Sequence, residues 1–261
     1  MDLGLRDAMA VVTGGTSGIG LETARLLLAE GARVAICGRD QVRLAAATAS
    51  LGGGERLLAM GCDVLDQAQM TAFAAAVSAS CGGRLDMLVN NAGQGRVSTF
   101  ANTSDEAWRE ELELKFFSQI RPIRAFYAML QKSAHPAIVI VNSLLALQPE
   151  GHMVATSAAR AGVQSLTKSL AGELAPAIRV NAILLGLVDS GQWQRRFEAR
   201  ADKSITRETW YADLAKTRNT PLGRLGTPDE PARAIAFLGS PAASYITGAN
   251  LEVSGGVSRH I

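Results

Sequence analysis

The chain has 261 residues, 48% of them hydrophobic and 19% charged, with a formal net charge of +2. That balance suits a buried α/β core and excludes a disordered chain or a polybasic surface that tracks nucleic-acid phosphates. Three cysteines, Cys37, Cys62 and Cys81, show neither CxxC nor Cys/His ligand spacing, which excludes a disulfide framework and leaves no expected metal site.

In chain order, residues 1–10 carry Asp2, Arg6 and Asp7 where a signal peptide would be apolar, and no later apolar run reaches membrane-spanning length. A cytoplasmic location without a membrane partner is therefore expected. Residues 8–13 read as a buried strand, 21–30 as an amphipathic helix and 33–37 as a second strand. Further compact apolar runs at 57–60, 85–89, 137–141 and 178–184 read as parallel strands, six so far. Residues 105–132 form a long helical pattern with a kink expected at Pro122. The stretch 188–221 has no strand pattern and sits where a helical substrate lid would sit. A helix from about 228, ended by Ser240-Pro241, leads to a last short strand at 250–253. This alternation predicts a doubly wound parallel sheet, expected to form one domain over 1–261.

Between the first strand and its helix stands Thr13-Gly14-Gly15-Thr16-Ser17-Gly18-Ile19-Gly20. Glycines there let the backbone turn and approach a pyrophosphate, whose charge the helix N-terminus stabilises. After the second strand the sequence reads Gly38-Arg39-Asp40. An acid at position 38 would bind the ribose 2′-hydroxyl of NAD; Arg39 instead offers a planar fork for the 2′-phosphate of NADP, with Asp40 left to cap the next helix.

The ordered set Gly14, Gly18 and Gly20 in TGxxxGxG, Cys62-Asp63-Val64, Asn90-Asn91-Ala92-Gly93, Ile178-Arg179-Val180-Asn181-Ala182, and Tyr245-Ile246-Thr247-Gly248 with Gly255-Gly256 resembles the short-chain dehydrogenase/reductase family over essentially the whole chain. The resemblance implies a Rossmann-type fold, an NADP(H) cofactor and a homo-oligomer. A tetramer is expected, paired through the long helices around 116–129 and 158–170, where Phe116, Phe117, Leu166, Ala158, Ala159, Ala161 and Gly162 permit close packing. It implies cofactor contacts from Gly14, Thr16, Ser17, Gly18, Ile19, Gly20, Arg39, Asp63, Val64, Asn91, Ala92, Gly93, Arg160, Gly186, Val188 and Ser190.

In such a family a Ser, Tyr and Lys act together. Ser143 follows its strand as expected; its hydroxyl is either a carbonyl donor or a strand-end group held by backbone. Aligning the downstream helix through Leu166-Thr167-Lys168 puts Thr156 at the Tyr position and Arg160 at the Lys position. Thr156 lacks a phenol's tunable proton, and Arg160 keeps its charge without releasing one. Lys115 falls where the family usually has an asparagine, and reads either as a mobile proton near Ser143 or as a solvated helix residue. His152, one turn before Thr156, reads as a group titrating near neutrality or an exposed histidine. Neither Tyr127 nor Tyr211 lies in a suitable motif. Two functions remain: an NADP(H)-dependent oxidoreductase acting on a small carbonyl or alcohol with an atypical centre, or a non-catalytic NADP(H)-binding sensor or regulator.

Overall fold

Seven parallel strands form one sheet in the order β3-β2-β1-β4-β5-β6-β7. They are β1 (Met9–Thr13), β2 (Arg33–Gly38), β3 (Leu57–Gly61), β4 (Met87–Asn90), β5 (Ala137–Ser143), β6 (Arg179–Leu185) and β7 (Asn250–Val253). The computed structural model describes residues 2–259, apart from the side chain of Gln192. All seven expected strands are present; the compact β-branched and aliphatic runs of the central strands suit burial on both faces, whereas the edge strand β7 is largely exposed.

The period of two sends alternate residues of each strand to opposite cores. On one face Val11, Ala35, Leu88, Ile138 and Val180 meet Phe73, Phe126 and Val163. These come from α3 (Gln67–Cys81), α4 (Asp105–Leu130) and α5 (Val154–Glu173). The Phe73 and Phe126 rings meet edge-on with centroids 5.8 Å apart. On the other face Val12, Ile36, Val89, Val139 and Ile183 meet Ala24, Leu27, Leu44 and Ile235. Those belong to α1 (Gly18–Ala29), α2 (Gln41–Leu51) and α8 (Asp229–Gly239).

Because β1 lies between β2 and β4, the chain winds outward in both directions from that pair. The crevice beyond their carboxyl ends is the place such a topology offers a ligand. Helix α4 runs as one 26-residue element through Pro122, which is buried within it. Helices α4 and α5 pack together, and a Cβ at Gly162 would come 2.4 Å from the Phe116 ring. Phe116 and Gly162, expected at a subunit interface, are thus partners within one chain; small residues serve this internal crossing first.

The stretch 188–221 carries α6 (Gly191–Glu198) and α7 (Arg207–Thr217). Trp210 of α7 stacks at 6.0 Å from Trp193 and 5.7 Å from Phe197 of α6. This aromatic joint fixes the two helices to each other. No described helix is long and apolar enough to cross a membrane.

Candidate active site

The turn after β1 is shaped by two glycines with different tasks. Gly18 has φ +53 and faces open space, so the left-handed backbone presents its amide without a side chain in the way. Gly20 permits close approach: a Cβ there would lie 2.4 Å from the Gly14 carbonyl and 2.5 Å from Asn91 Nδ2. Asn91 Nδ2 donates to the carbonyls of Thr13 and Gly14 at 3.0 and 3.1 Å, tying the end of β4 to this turn. Ser17 caps α1 by backbone conformation alone, its side chain making no capping bond. The first-turn amides therefore remain for an anion.

A crevice of about 340 Å³ opens at this turn, lined by Gly14, Thr16, Ser17, Gly18, Ile19, Arg39, Asp63, Val64, Asn91, Ala92, Gly93, Arg160 and Ser190. Of the residues expected to hold the cofactor, Gly186 and Val188 line an adjoining cavity, and Gly20 packs behind the turn. At the far end Arg39 is 66% exposed and only loosely drawn to Asp63, at 3.7 Å. Asp40 caps α2, accepting from Arg43 N at 3.0 Å and Arg43 Nε at 2.9 Å. Those bonds hold its carboxyl below the usual range. Asp40 is thus spent on the cap, and Arg39 is left open to the crevice. A Cβ at position 38 would meet Thr16 Cγ2 at 2.6 Å, so the acid that NAD would prefer could stand there only if Thr16 shifted. The donor set fits a dinucleotide carrying an extra phosphate.

The adjoining cavity, about 230 Å³, shares Ile19, Gly95, Arg160, Leu185 and Ser190 with the crevice. Its walls include Ser143, Thr156, Glu150, His152, Trp193, Arg196 and Arg218. Ser143 closes β5; its hydroxyl is 3.4 Å from the Leu185 carbonyl and accepts from Leu145 N at 3.3 Å. Both bonds are long, so backbone engagement leaves the hydroxyl available to a better acceptor. Arg160, one turn beyond Thr156 on α5, donates to the Val141 carbonyl at 2.9 Å, while its Nε is buried without a partner. Burial lowers its pKa to about 10, which leaves it a cation at neutral pH.

Thr156 is 1% exposed. Its hydroxyl lies 2.5 Å from Glu111 Oε1 and 3.2 Å from the Arg96 carbonyl. A hydroxyl has one proton, and the shorter, charge-assisted bond to Glu111 takes it. The same Glu111 oxygen holds Lys115 Nζ at 2.8 Å. Lys115 also donates to the Gln94 carbonyl at 2.5 Å. At 1% exposure Lys115 is not a solvated helix residue. Nor does it stand beside Ser143: it lines neither cavity, and its ammonium is spent on Glu111 behind Thr156. Burial, then repulsion from Arg160, lowers its pKa to about 8 against the pull of Glu111.

Glu111 is the site residue that sequence reasoning missed. Its only sequence signal is an acid four residues before a lysine on a helix, a spacing that usually marks a wet face. His152 is 44% exposed with Nε2 3.3 Å from Glu150, so the exposed reading describes it, although it borders the cavity. No phenol reaches the centre: Tyr211 donates to Asp189 at 2.6 Å in a separate cavity, and Tyr127 is exposed on α4.

The sequence profile of the family described as enoyl-(acyl carrier protein) reductase matches residues 14–258. The galactitol 2-dehydrogenase (L-tagatose-forming) of Cereibacter sphaeroides is 37% identical over 257 residues, 97% of this chain and 95% of that one. A short-chain oxidoreductase of Pseudomonas aeruginosa PAO1 described as containing an atypical catalytic center is 60% identical. Its apo structure superposes with TM-score 0.94 over 98% of this chain and 99% of that one. Its NADPH-bound structure gives 0.92 over 97% and 98%. L-Sorbose reductase from Gluconobacter frateurii, complexed with NADPH and L-sorbose, is 31% identical with TM-score 0.94 over the full length of both chains. The profile match, the curated relative and the full-length superpositions agree: the chain belongs to the short-chain dehydrogenase/reductase family.

Proposed function

We propose that the protein is an NADP(H)-dependent oxidoreductase that interconverts a small carbonyl compound and its alcohol through an atypical centre of Ser143, Arg160 and Thr156, backed by Glu111 and Lys115. The observation that carries this reading is continuity: the dinucleotide crevice and the cavity bearing Ser143 meet at Arg160 and Ser190. Bound nicotinamide would supply or accept the hydride. Gly186, Val188 and Ser190 would border its reactive end, and Arg39 with Thr16 would hold the 2′-phosphate.

Ser143 donates to the substrate oxygen, and the fixed Arg160 cation stabilises the charge that develops there. Such preorganised groups retain much of the rate. The proton comes along three bonded atoms, Lys115 Nζ, Glu111 Oε1 and Thr156 Oγ1. Proton transfer from Lys115 to Glu111 turns the Glu111–Thr156 bond around, so that Glu111 donates to Thr156 as Thr156 passes its own hydroxyl proton to the alkoxide; Glu111 ends as the carboxylate and Lys115 as a neutral amine. Lys115 thus acts through its neighbours, and only Thr156 of the three lines the cavity.

The supporting assignments are a single domain over 1–261, a lid formed by 188–221, a cytoplasmic location and a homotetramer. Supporting the lid, Trp193 and Arg196 on α6 and Arg218 beyond α7 form part of the cavity wall. Supporting association, Leu112 and Tyr127 on α4, Leu251 on the edge strand β7 and the neighbouring Tyr245 are exposed apolar surface.

A second reading, a non-catalytic NADP(H)-binding sensor, is favoured by one observation: the Thr156 hydroxyl is committed to Glu111, away from substrate. NADPH consumption with a panel of ketones, aldehydes and oxo acids separates the two. The oxidoreductase consumes NADPH with at least one class; a sensor binds it and consumes none.

A further inference from the structure

The substrate cavity contains three guanidinium groups, and two of them are already answered. Arg160 donates to the Val141 carbonyl at the end shared with the crevice. Arg218 is paired with Glu150 at 2.8 Å, and the same carboxylate oxygen lies 3.3 Å from His152. Arg196 differs. It forms no ion pair among the described residues, and its guanidinium lies over the Trp193 ring, 4.6 Å from the centroid. Burial, followed by the repulsion of Arg218, lowers its pKa, with Glu150 offsetting only part of this. A half-buried cation in such surroundings is relieved by an anion.

The ring restrains the guanidinium on one side, and no described residue forms an ion pair with it. A planar fork stacked on an aromatic face is preorganised to grip a carboxylate in its own plane. Arg160 is held by the Val141 carbonyl at the cofactor end, which leaves Arg196, beside the acidic Glu150, as the cation for a substituent away from the carbonyl; this suits a monoanion better than a phosphate dianion. The cavity measures about 230 Å³ and also contains Ser143, so a compact molecule would present its anion and its carbonyl to the same space.

We propose that Arg196 is the anion-recognition residue of this cavity and that the substrate is a short oxo acid, or the corresponding hydroxy acid, held by its carboxylate. This rests on the oxidoreductase reading and assigns its substrate class. Arg196 sits on α6, in the proposed lid, so substrate charge and lid position are coupled through one side chain. The other cavity wall, from β5 and α5, supplies the groups that face the carbonyl.

The test is calorimetric titration of the NADP⁺-saturated protein, where oxo compounds bind without turnover. The probes are oxo acids of three to six carbons, each paired with its own primary amide. At least one acid is expected to bind ten-fold or more tightly than its amide. Arg196→Met, which keeps apolar contact with Trp193, removes that preference, Arg196→Lys keeps part of it, and NADPH affinity stays within about two-fold of wild type in both. The proposal is overturned if no acid outbinds its amide, or if the preference survives Arg196→Met. NADPH turnover is read separately. An Arg196-dependent acid that binds and is never reduced supports the recognition site and removes the oxidoreductase reading. Amides reduced as efficiently as acids remove the proposal and leave that reading in place.

Discussion

Thr156 Oγ1 lies 2.5 Å from Glu111 Oε1, so a hydroxyl of the cavity wall is bonded to a buried carboxylate. The same oxygen binds Lys115 at 2.8 Å, which makes Glu111 the hinge between the cavity wall and a buried ammonium. Glu111, Lys115 and Thr156 are therefore one hydrogen-bonded unit, on which the Arg160 charge acts through space.

Glu111→Gln is expected to destabilise the fold by about 3–5 kcal/mol, the cost of stranding the buried Lys115 charge. Glu111→Gln with Lys115→Met should recover much of that loss, because removing both partners leaves no unpaired ion. Urea unfolding of wild type, both single variants and the double variant gives the coupling. Additive losses would contradict a direct pairing.

Stability should also rise with pH between about 8, the folded value for Lys115, and ~10.4, the ordinary unfolded value. In that window the unfolded chain binds more protons than the folded one. The penalty for burying the ammonium is fully present below about 8 and disappears as the pH passes the unfolded value; about 3 kcal/mol is at stake. Reductive turnover should move the opposite way, falling as pH rises through about 8 while Lys115 loses the proton it supplies. Lys115→Met should flatten the stability profile across this window and abolish this limb of the rate profile.

Arg39→Ala should weaken NADPH binding by about 10- to 100-fold, the equivalent of one charge-assisted hydrogen bond of ~1.5–3 kcal/mol. NADH binding should change little, since Asp40 is engaged by Arg43 and no acid stands at Gly38. Fluorescence titration with both nucleotides checks this. Equal losses for the two would place the 2′-phosphate elsewhere.

Thr156→Tyr with Arg160→Lys should raise reduction of generic ketones at least ten-fold, by restoring a phenol of tunable pKa beside an ammonium. Each single change should help less, because such groups act as a unit. Thr156 is packed at 1% exposure against Glu111, so the larger ring risks overpacking. Unchanged NADPH affinity is the control for folding.

The strands were legible because Val11, Ile36, Val139 and Ile183 sit in runs too short and too apolar for anything but a parallel sheet core. The cofactor crevice was legible because glycines are required where backbone must approach an anion, and that need shows in the sequence. Glu111 was hidden for the opposite reason. An acid–lysine pair at helical spacing looks the same whether it faces water or another helix, and only the packing of α4 on α5 decides. The Phe116–Gly162 crossing within the chain was not legible either, since small-residue packing marks a close crossing without saying whether the partner helix is in the same chain. The α6–α7 region could be recognised as an insertion, but the stacking of Arg196 on Trp193 depends on how that helix turns toward the cavity.

The most direct test of the central claim compares single-turnover NADPH oxidation by wild type and Ser143→Ala with any substrate the wild type reduces. The account predicts a rate loss of roughly 10²–10³-fold, the scale of one preorganised donor to a developing oxyanion, with NADPH affinity unchanged. If Ser143→Ala and Arg160→Ala both turn over at the wild-type rate, chemistry occurs away from this cavity and the account is contradicted.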